Sequence, residues 1–212
     1  MFDRVLFIGP HADDCELACG GTMSRLLEMG KEVFYLILTT QQETGEGFPK
    51  GAVMEEAIRA AKAICLDQKK VTILDYPVRR FSSVRQDILD ELVRARKAIN
   101  PDIVFVPSTI DVHQDHEVTC KEAIRAFKEC SLLGYEHPRN QVIAQKNTVF
   151  FSLRKRHMEA KMKAVDAYKS QHFRKCFDKD LIISLAKLRG SQTGTDYAEA
   201  FEPIRLIYKD KE

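Results

Sequence analysis

Residues 5–9 read Val-Leu-Phe-Ile-Gly, and residues 10–16 continue Pro-His-Ala-Asp-Asp-Cys-Glu. An unbroken apolar run of this length marks a strand buried on both faces of a parallel sheet; a strand with one wet face would alternate. The same signature returns at Val33–Thr39, at Val71–Leu74 ahead of Pro77, and at Ile103–Val106 ahead of Pro107. Helical patterns separate these runs. Thr22–Met29 is closed by Gly30 where a C-cap glycine belongs, with Thr22 as its N-cap. Ala52–Cys65 follows, then Ser82–Asn100 with Ile88, Leu92, Ala95 and Ile99 on one stripe, then Glu117–Leu132. Val149–Leu153 adds a strand, Met158–Tyr168 a helix, and Ile204–Tyr208 a last strand at a sheet edge. Such alternation predicts a layered α/β fold with a mainly parallel sheet. Right-handed crossovers then bring the strand C-termini to one rim, where ligands of such folds bind. The segments that decide function are therefore Pro10–Gly21, Thr40–Lys50, Tyr76–Phe81 and Pro107–His116.

At 212 residues the chain fits one domain, residues 1–212. Its 44% apolar and 30% charged content excludes a disordered or collagen-like chain. With 33 basic against 31 acidic residues, no nucleic-acid footprint is expected. No apolar run is long enough for a membrane span, and the five-residue run at the N-terminus is too short for a signal peptide. Six scattered cysteines without a Cys-x-x-Cys pair read as reduced thiols of a cytoplasmic protein. Homo-oligomers are compatible with this composition.

Two rim segments carry chemistry. One holds His11, Asp13 and Asp14; the other reads Asp111-Val-His113-Gln-Asp115-His116, so half of the six histidines lie in two short loops. Imidazole with carboxylate suits a divalent metal of the zinc type, although iron and cobalt accept the same donors. A catalytic zinc commonly takes three protein ligands, and His11, Asp14 and His116 supply such a set. Asp13, beside a ligand, suits a general base. His113 suits a proton donor or oxyanion stabiliser, with Asp115 bonding its other ring nitrogen. Cys15 and Cys19 read as small buried side chains rather than ligands. Gly20-Gly21 lacks the G-x-G-x-x-G pattern, so a dinucleotide site is disfavoured and close packing is the better role. Arg79-Arg80 reads as a solvated helix start or an anion clamp, His172 as a surface side chain, and Glu199 as either a rim residue or a surface charge.

The run PHADDCELACGGT over residues 10–22, with His113-Gln-Asp-His116, resembles the LmbE-like (PIG-L-type) zinc-dependent N-deacetylases. Lys169-Ser170-Gln171, Arg189-Gly190 and Tyr197-Ala-Glu199-Ala-Phe201 extend the similarity toward the C-terminus. The resemblance implies a Rossmann-like three-layer sandwich and hydrolysis of amides on N-acetylated sugars, releasing acetate and an amine. It implies zinc on His11, Asp14 and His116, Asp13 as base, and His113 with Asp115 supporting the oxyanion and leaving amine. Two departures stand out: Ala12 where proline is common after the first histidine, and neutral Gln41-Gln42 where many relatives carry arginine.

The expectation is a zinc hydrolase acting on a small N-acetylated sugar or sugar conjugate, contacted by Gln41, Gln42 and, if the substrate is anionic, Arg80. Hydrolysis of a formyl or short acyl amide is the rival reaction. A non-catalytic sugar- or nucleotide-binding module is the rival class, and Asp13 speaks against it because binding needs no base.

Overall fold

The computed structural model describes residues 2–208. Seven strands form one sheet: β1 (Arg4–His11), β2 (Glu32–Thr39), β3 (Val71–Ile73), β4 (Ile103–Pro107), β5 (Ser131–Tyr135), β6 (Val149–Leu153) and β7 (Tyr197–Arg205). Their order is β3-β2-β1-β4-β5-β7-β6. The first five run parallel; β7 is antiparallel to both β5 and β6. Six α-helices among the described residues complete the fold: α1 (Asp14–Glu28), α2 (Ala52–Ala63), α3 (Arg85–Ile99), α4 (Gln114–Ala126), α5 (Lys155–Asp166) and α6 (Lys179–Ser191). The layered α/β architecture with a mainly parallel sheet is the one expected.

The apolar runs do what their composition requires. Val5 and Phe7 join the core under α1, α2 and α5, whereas Leu6 and Ile8 join the core under α3 and α4. Adjacent residues of β1 thus point to opposite faces, and both faces are dry. The chain steps outward from β1 to β2 and β3, then crosses the other face through α3 to reach β4 beside β1. The winding reverses between β1 and β4. A crevice opens there at the strand C-termini, and ligands of doubly wound sheets bind at such a point. His11 ends β1, and His113 and His116 follow β4, so the topology brings the two loops together.

Several local expectations change. The first helix runs from Asp14, not Thr22, but breaks at Cys19 (φ −141°, ψ 24°). Thr22 is not an N-cap. The Glu199 carboxylate accepts the N–H groups of Gly21 and Thr22, at 3.1 and 2.6 Å, and pairs with Lys161 Nζ at 2.6 Å. A side chain 177 residues away thus caps the second segment, which settles Glu199 as a buried structural acid. A Cβ on Gly21 would lie 2.5 Å from Leu153 Cδ1, so the glycine pair serves close packing, inside the helix rather than before it. Gly30 is the expected left-handed C-cap (φ +72°).

The fourth helix ends at Ala126, and Ser131–Tyr135 is β5, a strand that the expected helix over 117–132 partly absorbs. The five-residue segment Ser-Leu-Leu-Gly-Tyr is too short to show a period of its own, and the open edge of β4 turns it into a strand. The last strand is Tyr197–Arg205, not Ile204–Tyr208, and lies between β5 and β6 rather than at an edge. α6 is an addition to the expected elements; Asp178 caps it, accepting from the Asp180 and Leu181 N–H groups. Gly190 in α6 presses on the turn into β7, where a Cβ would meet Thr195 O at 2.5 Å and Tyr197 N at 2.7 Å. Gly190→Ala should destabilise the protein by roughly 1–3 kcal/mol, the usual cost of overpacking, because backbone cannot swing aside. Denaturant unfolding measures it, and an unchanged midpoint contradicts it.

Candidate active site

The floor of the crevice is built from β1 and α1 on one side and the loop into α4 on the other. Asp13 is held at φ 89°, a left-handed conformation that short polar residues tolerate best. That turn lets Asp14 Oδ2 accept the His11 backbone N–H at 2.9 Å. Asp14 Oδ2 also lies 3.2 Å from His11 Nδ1 and 3.2 Å from His116 Nε2, and the two nitrogens are 3.3 Å apart. Three donor atoms thus form a nearly equilateral triangle. Ligands at about 2.0–2.1 Å from a tetrahedral ion are separated by about 3.3 Å, so the triangle has the size of one face of a zinc coordination sphere.

The outer nitrogens are occupied by carboxylates. His11 Nε2 lies 2.9 Å from Asp115 Oδ2, and His116 Nδ1 lies 2.8 Å from Asp111 Oδ2. In the neutral rings, with each outer nitrogen donating its proton, each inner nitrogen carries the lone pair that a metal ion would take. Burial opposes a charge on His116, but the Asp14 carboxylate and the Asp111 hydrogen bond outweigh it and raise its pKa to about 10. Burial opposes the Asp14 charge, but His116 and then the His11 hydrogen bond hold its pKa well below the ordinary range.

His113 is arranged differently. It caps α4: its Nδ1 accepts the Asp115 backbone N–H at 3.2 Å. Burial first, then the neighbouring His116 and His11, depress its pKa to about 4, so the ring is neutral near pH 7. A neutral ring that accepts at Nδ1 carries its proton on Nε2, which becomes a fixed donor. His11, His113 and His116 each offer a ring nitrogen within 4.8 Å of the others and form a second candidate metal set. The Asp115 carboxylate does not contact the His113 ring as expected. It faces His11, and it accepts the backbone N–H groups of Arg79 and Phe81 as well. Asp115 begins a helix and points back across the loop, away from its neighbour in sequence.

Asp13 Oδ2 pairs with Arg174 Nη1 at 2.7 Å, while Oδ1 is buried without a partner. Burial pushes the Asp13 pKa up to about 7, with Arg174 pulling the other way. A cavity of about 240 Å³ opens over this floor, with Gln42, Arg79, Asn140 and Gln171 on its walls. Gln42 donates to Ala12 O at 2.6 Å. Gln41 does not line the cavity; it is turned to Asp75 at 2.8 Å. Arg80 is likewise outside the lining, and Arg79 stands there instead, paired with Glu43 at 3.1 Å. The Arg80 clamp is therefore set aside. His172 is exposed, whereas Gln171 and Arg174 on either side of it reach the site.

Sequence reasoning misses Asp111, Arg174 and His137. Asp111 stands inside the quoted motif, five residues before His116, and its support role is legible in principle. Arg174 and His137 come from the C-terminal half and carry no motif.

The profile described as "PIG-L: GlcNAc-PI de-N-acetylase" matches residues 6–127, more than half the chain and all of the donor triangle. This chain belongs to the PIG-L family. Among PIG-L relatives it is 27% identical to the diacetylchitobiose deacetylase of Thermococcus kodakarensis, over 97% of this chain and 84% of that protein. The conserved protein TT1542 from Thermus thermophilus superposes with a TM-score of 0.81 at 25% identity, covering 99% and 98% of the two chains. The 4-carboxy-2-hydroxymuconate hydratase of Pseudomonas putida shares the fold alone, with a TM-score of 0.77 at 19% identity, covering 99% of each chain. A PIG-L fold thus carries more than one chemistry, and the reaction has to be argued from the site. Arg174 and His137 lie beyond the matched segment, in the part of the chain where the profile makes no statement.

Proposed function

We propose that this protein is a metal-dependent N-deacetylase that hydrolyses an N-acetylated sugar or sugar conjugate to acetate and a free amine. The observation that carries the reading is the triangle of His11 Nδ1, Asp14 Oδ2 and His116 Nε2, with both imidazoles backed by carboxylates. These three residues would hold a zinc-type ion. Such an ion supplies Lewis acidity toward a carbonyl oxygen and lowers the pKa of water to about 7. Iron or cobalt fits the same donors.

The chain's own residues supply the rest. Asp13 Oδ1, buried and unpartnered, takes the proton from the attacking water, while Arg174 fixes the other oxygen and so aims the free one. His113 Nε2–H points its proton toward the acyl oxygen as negative charge develops there, or toward the departing nitrogen. Asp115 and Asp111 lock the tautomer and tilt of His11 and His116. Gln42, Asn140 and Gln171 on the cavity wall offer the paired donors and acceptors that sugar hydroxyls require. The acetyl specificity is supported by the T. kodakarensis relative, which acts on diacetylchitobiose by its description.

A cytoplasmic setting is supported by six cysteines that form no disulfide among the described residues. No helix among the described residues is long and apolar enough to cross a membrane.

The test is a panel of N-acetylated, N-formylated and N-butyrylated glucosamine derivatives with detection of primary amine. Amine from the acetyl members supports the proposal. Preference for formyl or butyryl members favours another acyl hydrolase, and no amine from any member leaves the binding-module reading. Asp111→Ala, which strips the partner from His116 Nδ1, should weaken metal binding about 10- to 100-fold. Competition with a chromogenic chelator measures it, and an unchanged affinity removes Asp111 from the metal site.

A further inference from the structure

A second cavity, of about 620 Å³, lies beside the first and is the larger of the two. Its walls are mostly apolar: Leu17 and Ala18 of α1, Leu181, Ile182, Leu185 and Ala186 of α6. The acids on its wall are already paired, Glu199 with Lys161 and Glu136 with Arg189. The walls therefore offer no free carboxylate; Arg139 and Lys175 also line the cavity, and the faces of α1 and α6 suit an apolar group. Volumes of several hundred Å³ with such walls are typical of small-molecule sites.

The two cavities share His137, Arg139, Phe173 and Arg174 as a common partition. His137 is 3% exposed, yet neither ring nitrogen has a hydrogen-bond partner. Its Nε2 lies 3.6 Å from Asp14 Oδ1. Buried polar groups are nearly always satisfied, and an orphaned one beside a cavity points to a ligand that completes it. A neutral imidazole needs one acceptor and one donor, as hydroxyls and ether oxygens of a sugar provide. Phe173, 60% exposed on the same partition, presents an aromatic face of the kind on which sugar rings pack.

We infer that the larger cavity binds an alkyl or aryl aglycone of the substrate, so that the substrate straddles the partition with its N-acetyl sugar over the polar floor and its apolar group against α6. The inference rests on the deacetylase reading for one step: the departing acetyl is too small to need 620 Å³, so the cavity serves the amine half of the substrate. His137 meets the glycosidic region between the two halves.

The experiment compares methyl and octyl β-N-acetylglucosaminides, below micelle concentration, by amine release and, using the corresponding glucosaminides, by titration calorimetry. Calorimetry needs no turnover, so it reads the cavity even if the deacetylase reading fails. Burying several methylenes should make the octyl ligand bind at least about tenfold more tightly than the methyl one, with the gain in KM rather than kcat. Leu185→Asp should drive the octyl-to-methyl ratio toward unity in both measurements. Leu181→Asp, at the exposed rim, should lower it as well if the first variant folds poorly. Equal binding of the two glucosaminides to the wild type, or an octyl preference that survives both charged variants, overturns the inference. Octyl preference in binding without amine release from either substrate upholds the cavity and sinks the deacetylase reading instead.

Discussion

Asp13→Asn keeps its metal and loses roughly two to four decades in kcat, the usual contribution of a general base. The substitution is nearly isosteric, and the amide oxygen still accepts from Arg174, so the turn between β1 and α1 survives. What disappears is the basic oxygen: Oδ1 is buried without a partner, and an amide there takes no proton. Metal content is preserved because neither Asp13 oxygen belongs to the donor triangle. Steady-state amine release together with elemental analysis checks both halves. An unchanged rate transfers the base to another group, and a parallel loss of metal makes Asp13 a ligand.

The second large effect is on metal content. Wild-type protein should hold about one divalent ion per chain, as three-ligand catalytic sites do. The double change His11→Ala with His116→Ala removes two of the three donors, and one carboxylate does not retain the ion through dialysis. His113→Ala should keep the ion, because its Nδ1 is committed to the Asp115 N–H and its Nε2 carries the proton. His113→Ala separates the ligand sets His11–Asp14–His116 and His11–His113–His116 by elemental analysis, since the double variant removes two donors from each. Full retention in the double variant would falsify both sets; loss in His113→Ala supports the second.

Much of this site is legible without coordinates. His11, Asp13 and Asp14 sit within four residues, and a turn of that length has few ways to arrange them. His113 and His116 stand one helical turn apart, and α4 begins between them. Such relations are local, and local backbone geometry dictates them. Asp115 shows where locality misleads. Two residues from His113, it reads as the partner of that ring, yet at the start of α4 its carboxylate reaches His11, 104 positions earlier. Arg174 is 161 positions from Asp13 and Glu199 is 177 from Thr22; no spacing rule links them.

The sequence by itself determined the layered α/β plan and the two loops that meet at one rim, because hydrophobic period and turn length act over a few residues. Only the tertiary structure decided which carboxylate backs which histidine, that Ser131–Tyr135 extends the sheet, that α1 breaks at Cys19 under a remote glutamate, and that an apolar cavity shares a wall with the polar one. Those outcomes depend on which surfaces meet once β4 returns to lie beside β1. Hydrogen bonds and burial are settled there by whichever partner arrives in space, whatever its distance along the chain.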